Sequence, residues 1–585
     1  MKRTTAYSIP ACSLVGAVLL LVSAAETPAQ EAENAFVPPR GIPLPDWGRV
    51  NPVTLPPPAR PANWAASPQP GFYYVKSSHP SSTDLDNPLG NPDRPRKTVP
   101  SELPVGAYVE IADCDSNVSF DGLKGTAEAP IWLVGSGEAL VQPDDTGAAI
   151  GFVACEYIIV HGLTLDGSAV PISRGSAAWA ISSNCHHIAI RNCVVRNQPA
   201  PAYNPDRFSS GGAGAWYSGL SSIVARDGPV NDIVVFGCDY TGNAGGQTLD
   251  YESGRHCIIA SGRTQGRHAV ENVWILNNTM HDNPEDGVQL GESSNNADRT
   301  LCRNFFIGGN RITNNGENAI DLKACERVIV SGNVLSGYRK THYRSGAVSG
   351  SDGTACVLNN DGGGPLETWW LFNTIRDSRV AWRNQSAGGD HYFVGNLVCD
   401  LKTADGEGEP TSTGKSGGVA YWQNSGANAF FANNTLCLVH GGIYLFNVGR
   451  TGVYGNIVYD VADHKAGWPI NINNADEVRV AGNLRFDPDG PVRRDAVGDT
   501  DVTDLNPRFA GTDLAVPETF ILQSESPILK VSPPLSPFES LFLAAWGRPV
   551  ELEFDRTAEP PGATISIPDG SGGLNPPSGL DAEPE

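Results

Sequence analysis

The chain has 585 residues, a formal net charge of −23, 65 glycines and 45 prolines, with an ordinary hydrophobic content of 40%. That length suits several domains or one elongated domain. The acidic balance argues against a nucleic-acid binder, which needs clustered Lys and Arg to displace counterions. An anionic ligand would need a local basic patch or a bound cation.

Residues 1–25 read as a signal peptide. Lys2 and Arg3 precede the apolar run "ACSLVGAVLLLVSAA" (11–25), which is too short to span a membrane comfortably. No other stretch approaches a membrane span, so a secreted or periplasmic protein is expected, with no membrane or nucleic-acid partner. Cys12 would leave with the signal, and eleven of the 12 cysteines would remain. An odd number leaves at least one thiol unpaired. No C-x-x-C pair supports a zinc site. Residues 26–71 form a Pro-rich lead-in.

From residue 155 onward one short motif recurs. "CEYIIVHGL" (155–163), "CHHIAIRNC" (185–193), "CRNFFIGGN" (302–310) and "CERVIVSGN" (325–333) match well. Looser copies are "VNDIVVFGC" (230–238), "VENVWILNN" (270–278), "GANAFFANN" (426–434), "VGRTGVYGN" (448–456) and "ADEVRVAGN" (475–483), with short echoes at 369–373 and 392–396. The closest copies end 22 or 23 residues apart (434 to 456, 310 to 333, 373 to 396), and longer gaps read as loops added to a bare coil. Each copy is a Val/Ile/Phe alternation, which is strand chemistry. Several short strands per coil and no helix predict an all-β, right-handed parallel β-helix of about eleven or more coils with decorated loops. The recurring asparagine fits a stacked turn ladder. The recurring cysteine fits a row of buried thiols. The β-helix is expected over 72–535, including a first segment and a C-terminal cap. A C-terminal extension follows over 536–585, with a disordered tail from about residue 557.

Chemistry concentrates on two neighbouring coils. In "AIDLKA" (319–324) alternation turns Ile320 and Leu322 inward and Asp321 and Lys323 outward; in "DGVQLG" (286–291) Val288 and Leu290 face in and Gln289 faces out. Aligning the two places Gln289 beside Asp321, and Glu285 and Asp286 beside Glu317 and Asn318. The expected result is an outer patch of carboxylates with one ammonium. A basic run, "SGYRKTHYRSG" (336–346), supplies Arg339, His342, Tyr343 and Arg344, with Arg344 about one bare coil beyond Lys323. His186, His187 and the aromatic pairs at 369–370 and 421–422 read as scaffold.

At these residues the chain resembles the secreted β-helix polysaccharide-active proteins of the pectate-lyase-like superfamily, with polysaccharide lyase families nine and six nearest. The segments 72–111 and 505–531 resemble the first and last segments of that family. "NPEDGVQL" and "GENAIDLK" are similar to family-nine acidic strand starts, although Glu317-Asn318 stands where that family has consecutive aspartates. Lys323 and Arg344 are similar to the family-six lysine–arginine pair, without its E-x-E element. The resemblance implies a lyase that cleaves an acidic, uronate-containing polysaccharide by β-elimination. Lys323 would be the base and Arg344 the neutraliser of the substrate carboxylate. Asp286, Asp321, Glu285 and Glu317 would hold Ca2+, and Arg339, His342, Tyr343 and Gln289 would contact substrate. A monomer is expected. Two other classes stay open: a polygalacturonase-like glycoside hydrolase using paired carboxylates, and a non-catalytic glycan-binding surface protein.

Overall fold

A computed structural model describes residues 36–562, apart from 49, 65–66, 142–147, 169–176, 199–218, 244–255, 263–267, 292–300, 340–352, 361–363, 402–418, 440, 462–468, 489–497, 512 and 514–516. The expected signal peptide, and His342, Tyr343 and Arg344, lie outside the described residues.

All eleven motif copies fall on strands, and those strands stack in sequence order, each parallel to the next. After each comes a short strand, such as Thr279–His281 or Arg311–Thr313, that stacks on its own kind. A third set runs from Val118–Asp121 through Ala177–Ser182, His256–Gly262, Val288–Leu290, Ile320–Leu322, Thr354–Asn359, Val380–Gln385 and Val419–Asn424 to Gly441–Tyr454. Each coil visits the repeat sheet, the short-strand sheet and this third sheet in turn. All ladder pairings between strands are parallel, and the whole is the expected right-handed parallel β-helix.

The inward positions of all three sheets form one core, with Val273, Phe305, Val328, Ile258, Val288 and Ile320 among its fully buried members. Val, Ile and Phe suit both the pleat and the burial. The recurring Gly-Asn has a double cause. Its first residue turns the chain in the left-handed region: Gly309 (φ 65°), Gly332 (63°) and Gly395 (68°), or asparagine at Asn277 (56°) and Asn433 (53°). Its second residue joins a buried ladder. The backbone N–H and Nδ2 of Asn278, Asn310, Asn333, Asn373, Asn396, Asn434 and Asn456 each donate to Oδ1 of the next member at 2.9–3.0 Å. Asn483 continues the ladder onto Asp501.

The eleven cysteines from Cys114 to Cys437 are buried thiols outside any disulfide. Cys302 and Cys325 occupy one register position on adjacent coils, as a row of small inward side chains requires.

The ends are more ordered than a linker and a tail would be. Arg191 donates to the carbonyls of Pro52, Val53 and Leu55 at 2.6–2.9 Å, fixing the lead-in against the repeat sheet. The helix Ser536–Trp546 covers the stack of Trp369 on Tyr392, which explains why these aromatics are scaffold. The Gly562 N–H donates to the Gly395 carbonyl at 2.9 Å. Phe509, Phe520 and Ile528 form a small second core that closes the last coils.

The asparagine ladder yields a stability prediction. Asn396→Ala strands the Asn373 N–H and the Trp370 carbonyl in a dry interior. It should lower stability by about 2–5 kcal/mol, read as a fall in the urea midpoint.

Candidate active site

Two coils cross from the short-strand sheet to the third sheet by brief connectors, 282–287 and 314–319, whereas the coils on either side use 242–255 and 337–353. The two connectors stack tightly. Gly316 N–H donates to the Asn283 carbonyl at 2.8 Å and Gly287 N–H to the Asn318 carbonyl at 3.0 Å. A second amide ladder pins them: Asn283 Nδ2 donates to Asn315 Oδ1 at 3.0 Å, and Asn315 Nδ2 to the Tyr338 hydroxyl at 3.2 Å. A Cβ on Gly316 would sit 1.9 Å from the Pro284 carbonyl oxygen, so only glycine lets the connectors approach this closely. The acidic residues ride on this stack. Val288 pairs with Ile320 and Gln289 with Asp321, the register expected from the alternation. Glu285 and Glu317 therefore precede equivalent strand starts, one rung of ~4.8 Å apart.

The patch faces outward from the core but is buried rather than solvated. Asp286 is 0% exposed, Glu285 2% and Asp321 3%. A residue the sequence reading passed over, His256, lies among them. Its Nε2 is 3.2 Å from Glu285 Oε2, and its Nδ1 is 3.1 Å from Asp286 Oδ2, the latter contact poorly aligned for a hydrogen bond. Asp286 Oδ1 accepts the Asn318 N–H at 2.8 Å. Lys323 Nζ is 2.7 Å from Asp321 Oδ2 and donates to Gln289 Oε1 at 3.3 Å. Asp321 Oδ1 is buried with no hydrogen-bond partner.

Among the described residues these four carboxyl groups thus share two basic side chains, Lys323 and His256. Glu317, which keeps some exposed surface, is pushed well above the usual carboxylate range by poor solvation and by Asp286, Glu285 and Asp321. Burial raises Asp321 to about 6, with Lys323 opposing the shift. Burial works against the charge on Lys323, but Asp321 and Asp286 outweigh it and hold the ammonium above its ordinary value. Burial likewise opposes charge on His256, and Glu285 and Asp286 overcome it, so the imidazole is raised.

Among the expected site residues, the structure brings together Glu285, Asp286, Gln289, Glu317, Asp321 and Lys323. It places Arg339 elsewhere. Arg339 pairs with Asp377 and, at 2.9 Å, with Asp400, beside the short-strand sheet, because its connector leaves from that sheet. Arg344, expected over Lys323, lies outside the described residues. Leu322 pairs with Leu358, so the residue following Lys323 in register is Asn359. His256 escaped notice because nothing in the sequence marks its coil. Its strand pairs with Val288–Leu290, so aligning one coil further back would have found it.

The residues present do not fit the expected Ca2+. Lys323 occupies Asp321, an amide and His256 occupy Asp286, and His256 faces Glu285. Among the described residues no group of three or more His, Cys, Asp or Glu could hold a metal ion. Nor is any helix among them long and apolar enough to cross a membrane.

No family model and no curated protein matches the sequence. Several solved structures resemble the fold. A GH136 lacto-N-biosidase from Eubacterium ramulus is 14% identical, with TM-score 0.41, covering 74% of this chain and 68% of its own. A family 28 exopolygalacturonase from Yersinia enterocolitica is 11% identical, with TM-score 0.36, covering 64% and 73%. A pectate lyase from a Bacillus species, solved with trigalacturonate, is 10% identical, with TM-score 0.28, covering 59% and 84%. Likenesses this distant assign no activity. The chain's own stacked coils identify its fold as a right-handed parallel β-helix.

Crowding of the acids makes a prediction about stability. A carboxyl whose folded pKa is raised supports folding at low pH and loses that support as pH rises through the folded value. Glu317→Gln should therefore raise the melting temperature at about pH 7, where unfolded Glu is ionised, and the gain should shrink toward about pH 4. Thermal melts of the two proteins across that range provide the check; an equal melting temperature at all pH values would contradict the crowding.

Proposed function

We propose that the chain is a carbohydrate-active enzyme that hydrolyses glycosidic bonds at the acidic cluster. Glu317 would be the proton donor and Asp321 the carboxylate that activates water or attacks the sugar. The observation that carries this is the split between two neighbouring carboxyls. Poor solvation and the neighbouring Asp286 and Glu285 push Glu317 toward its protonated form, whereas Asp321 has one oxygen on Lys323 and the other unpartnered. Glycoside cleavage needs one carboxyl protonated and one ionised at the same pH, and opposed environments provide that. In the step, the glycosidic oxygen takes the proton of Glu317 and leaves as an alcohol. Water supplies the oxygen at the sugar carbon and its proton passes to the carboxylate side.

The lyase reading asks Lys323 to be a neutral base. Its ammonium is instead stabilised by Asp321 and Asp286, so its better role is to keep Asp321 ionised. Four carboxyls beside two cations also repel a uronate, so the sugar at the point of cleavage is expected to be neutral. With the expected export signal, the substrate would be an extracellular or periplasmic polysaccharide.

The test is a panel of neutral glucans, xylan and galactan together with pectate and alginate, each with and without a chelator. Hydrolysis gives new reducing ends without ultraviolet-absorbing unsaturated ends, and chelation leaves the rate unchanged. Rate should fall as pH drops through about 6, where Asp321 takes up a proton, and again on the alkaline side as Glu317 loses its own. Glu317→Gln should cost roughly 10²–10⁴-fold. Unsaturated products would favour the lyase, and binding without cleavage across the panel would favour a glycan-binding protein.

A further inference from the structure

The sheet that carries Asp321 and Lys323 continues past them for several coils, and parallel register dictates which side chains share their face. Asp321 pairs with Val357, Val357 with Arg383, Arg383 with Trp422, and Trp422 with Tyr444. In the next outward row, Asn359 follows Lys323 in register and pairs with Gln385, and that row reaches Phe446 and then Asn473. Tyr444 stands four rungs from Asp321, about 19 Å at ~4.8 Å per rung.

This face is not a covered core surface. Asn359, Arg383, Tyr444 and Phe446 are half-buried, and Gln385 and Asn473 are exposed. Tyr444 and Phe446 meet edge to face at 4.4 Å between ring centroids. The face in the opposite direction differs in character. Going back from Gln289, the corresponding positions are Ile259 and Ser222, and the parallel row holds Ser261; all three are buried. On the N-terminal side the groups are small or aliphatic and buried; on the C-terminal side, past the buried Val357 and the half-buried Arg383, come amides and two accessible rings.

We propose that Tyr444 and Phe446, with the amides of Asn359, Gln385 and Asn473, form a glycan-binding platform that holds the substrate chain as it runs from the acidic cluster toward the C-terminal coils. Ring faces pack against the apolar faces of pyranose rings, and amides both donate to and accept from sugar hydroxyls. A carbohydrate chain is the occupant favoured because the platform lies on the same sheet face as the cluster, along one continuous register. The proposal deepens the hydrolase reading and takes its direction from it.

The experiment separates the two. In the Glu317→Gln protein, calorimetry measures affinity for a ladder of neutral gluco- and xylo-oligosaccharides of increasing length, with oligogalacturonates as a second arm. Affinity should climb with length until the chain reaches the platform. Tyr444→Ala should remove that climb, costing the longest ligand roughly three- to tenfold, the range of one stacking contact; Tyr444→Phe should restore most of it. Binding confined to the uronate arm, and weakened by salt, would replace the neutral ligand class with an acidic one and overturn that part. A climb that survives Tyr444→Ala, or equal weakening at every length, would overturn the platform, as would no binding at any length. Length-dependent binding without cleavage by the unsubstituted protein would leave the platform standing and remove the hydrolase reading.

Discussion

Burying a carboxylate demands something that holds its charge, and among the described residues three buried carboxyls and the partly buried Glu317 gather beside one lysine and one histidine. Lys323 satisfies one oxygen of Asp321, while His256 sits between Glu285 and Asp286. Among the described residues only Lys323 opposes the shift on Glu317, and three carboxyls crowd it. The least costly solution is for Glu317 to keep its proton. The division of labour at the site follows from that shortage of positive charge.

The scaffold makes such crowding sustainable. Stacked parallel strands repeat one register position every ~4.8 Å, so an acidic residue at a strand start faces its counterpart on the next coil. Two short connectors, locked by Asn283 and Asn315, bring these starts together without an intervening loop. The asparagine ladder along the opposite corner holds rung spacing constant from Asn278 to Asn483. A slip of one residue would turn Asp321 and Lys323 into the core, so the burial of Ile320 and Leu322 fixes the site as firmly as it fixes the fold.

Much of this was legible in the sequence, because a solenoid writes its period directly. The eleven motif copies, the inward alternation and the pairing of Gln289 with Asp321 all came from spacing. Residues on connectors were harder. Arg339 looked like a free cation because Asp377 and Asp400 are distant in sequence, though adjacent across rungs. His256 was missed for a similar reason: its partners arrive only after a coil of variable length. Burial was the other gap. Alternation shows that Asp321 faces away from the core, but not that neighbouring groups close over it.

The central claim is that one carboxyl of the cluster stays neutral near neutral pH while its neighbour is ionised. Infrared difference spectroscopy of the intact protein against Glu317→Gln reads this directly, through the carbonyl stretch of a protonated carboxylic acid. The account predicts such a band in the unsubstituted protein at about pH 7, absent from the variant and replaced by carboxylate bands only at higher pH. A Glu317 already ionised at that pH, with no protonated band lost on substitution, would contradict it.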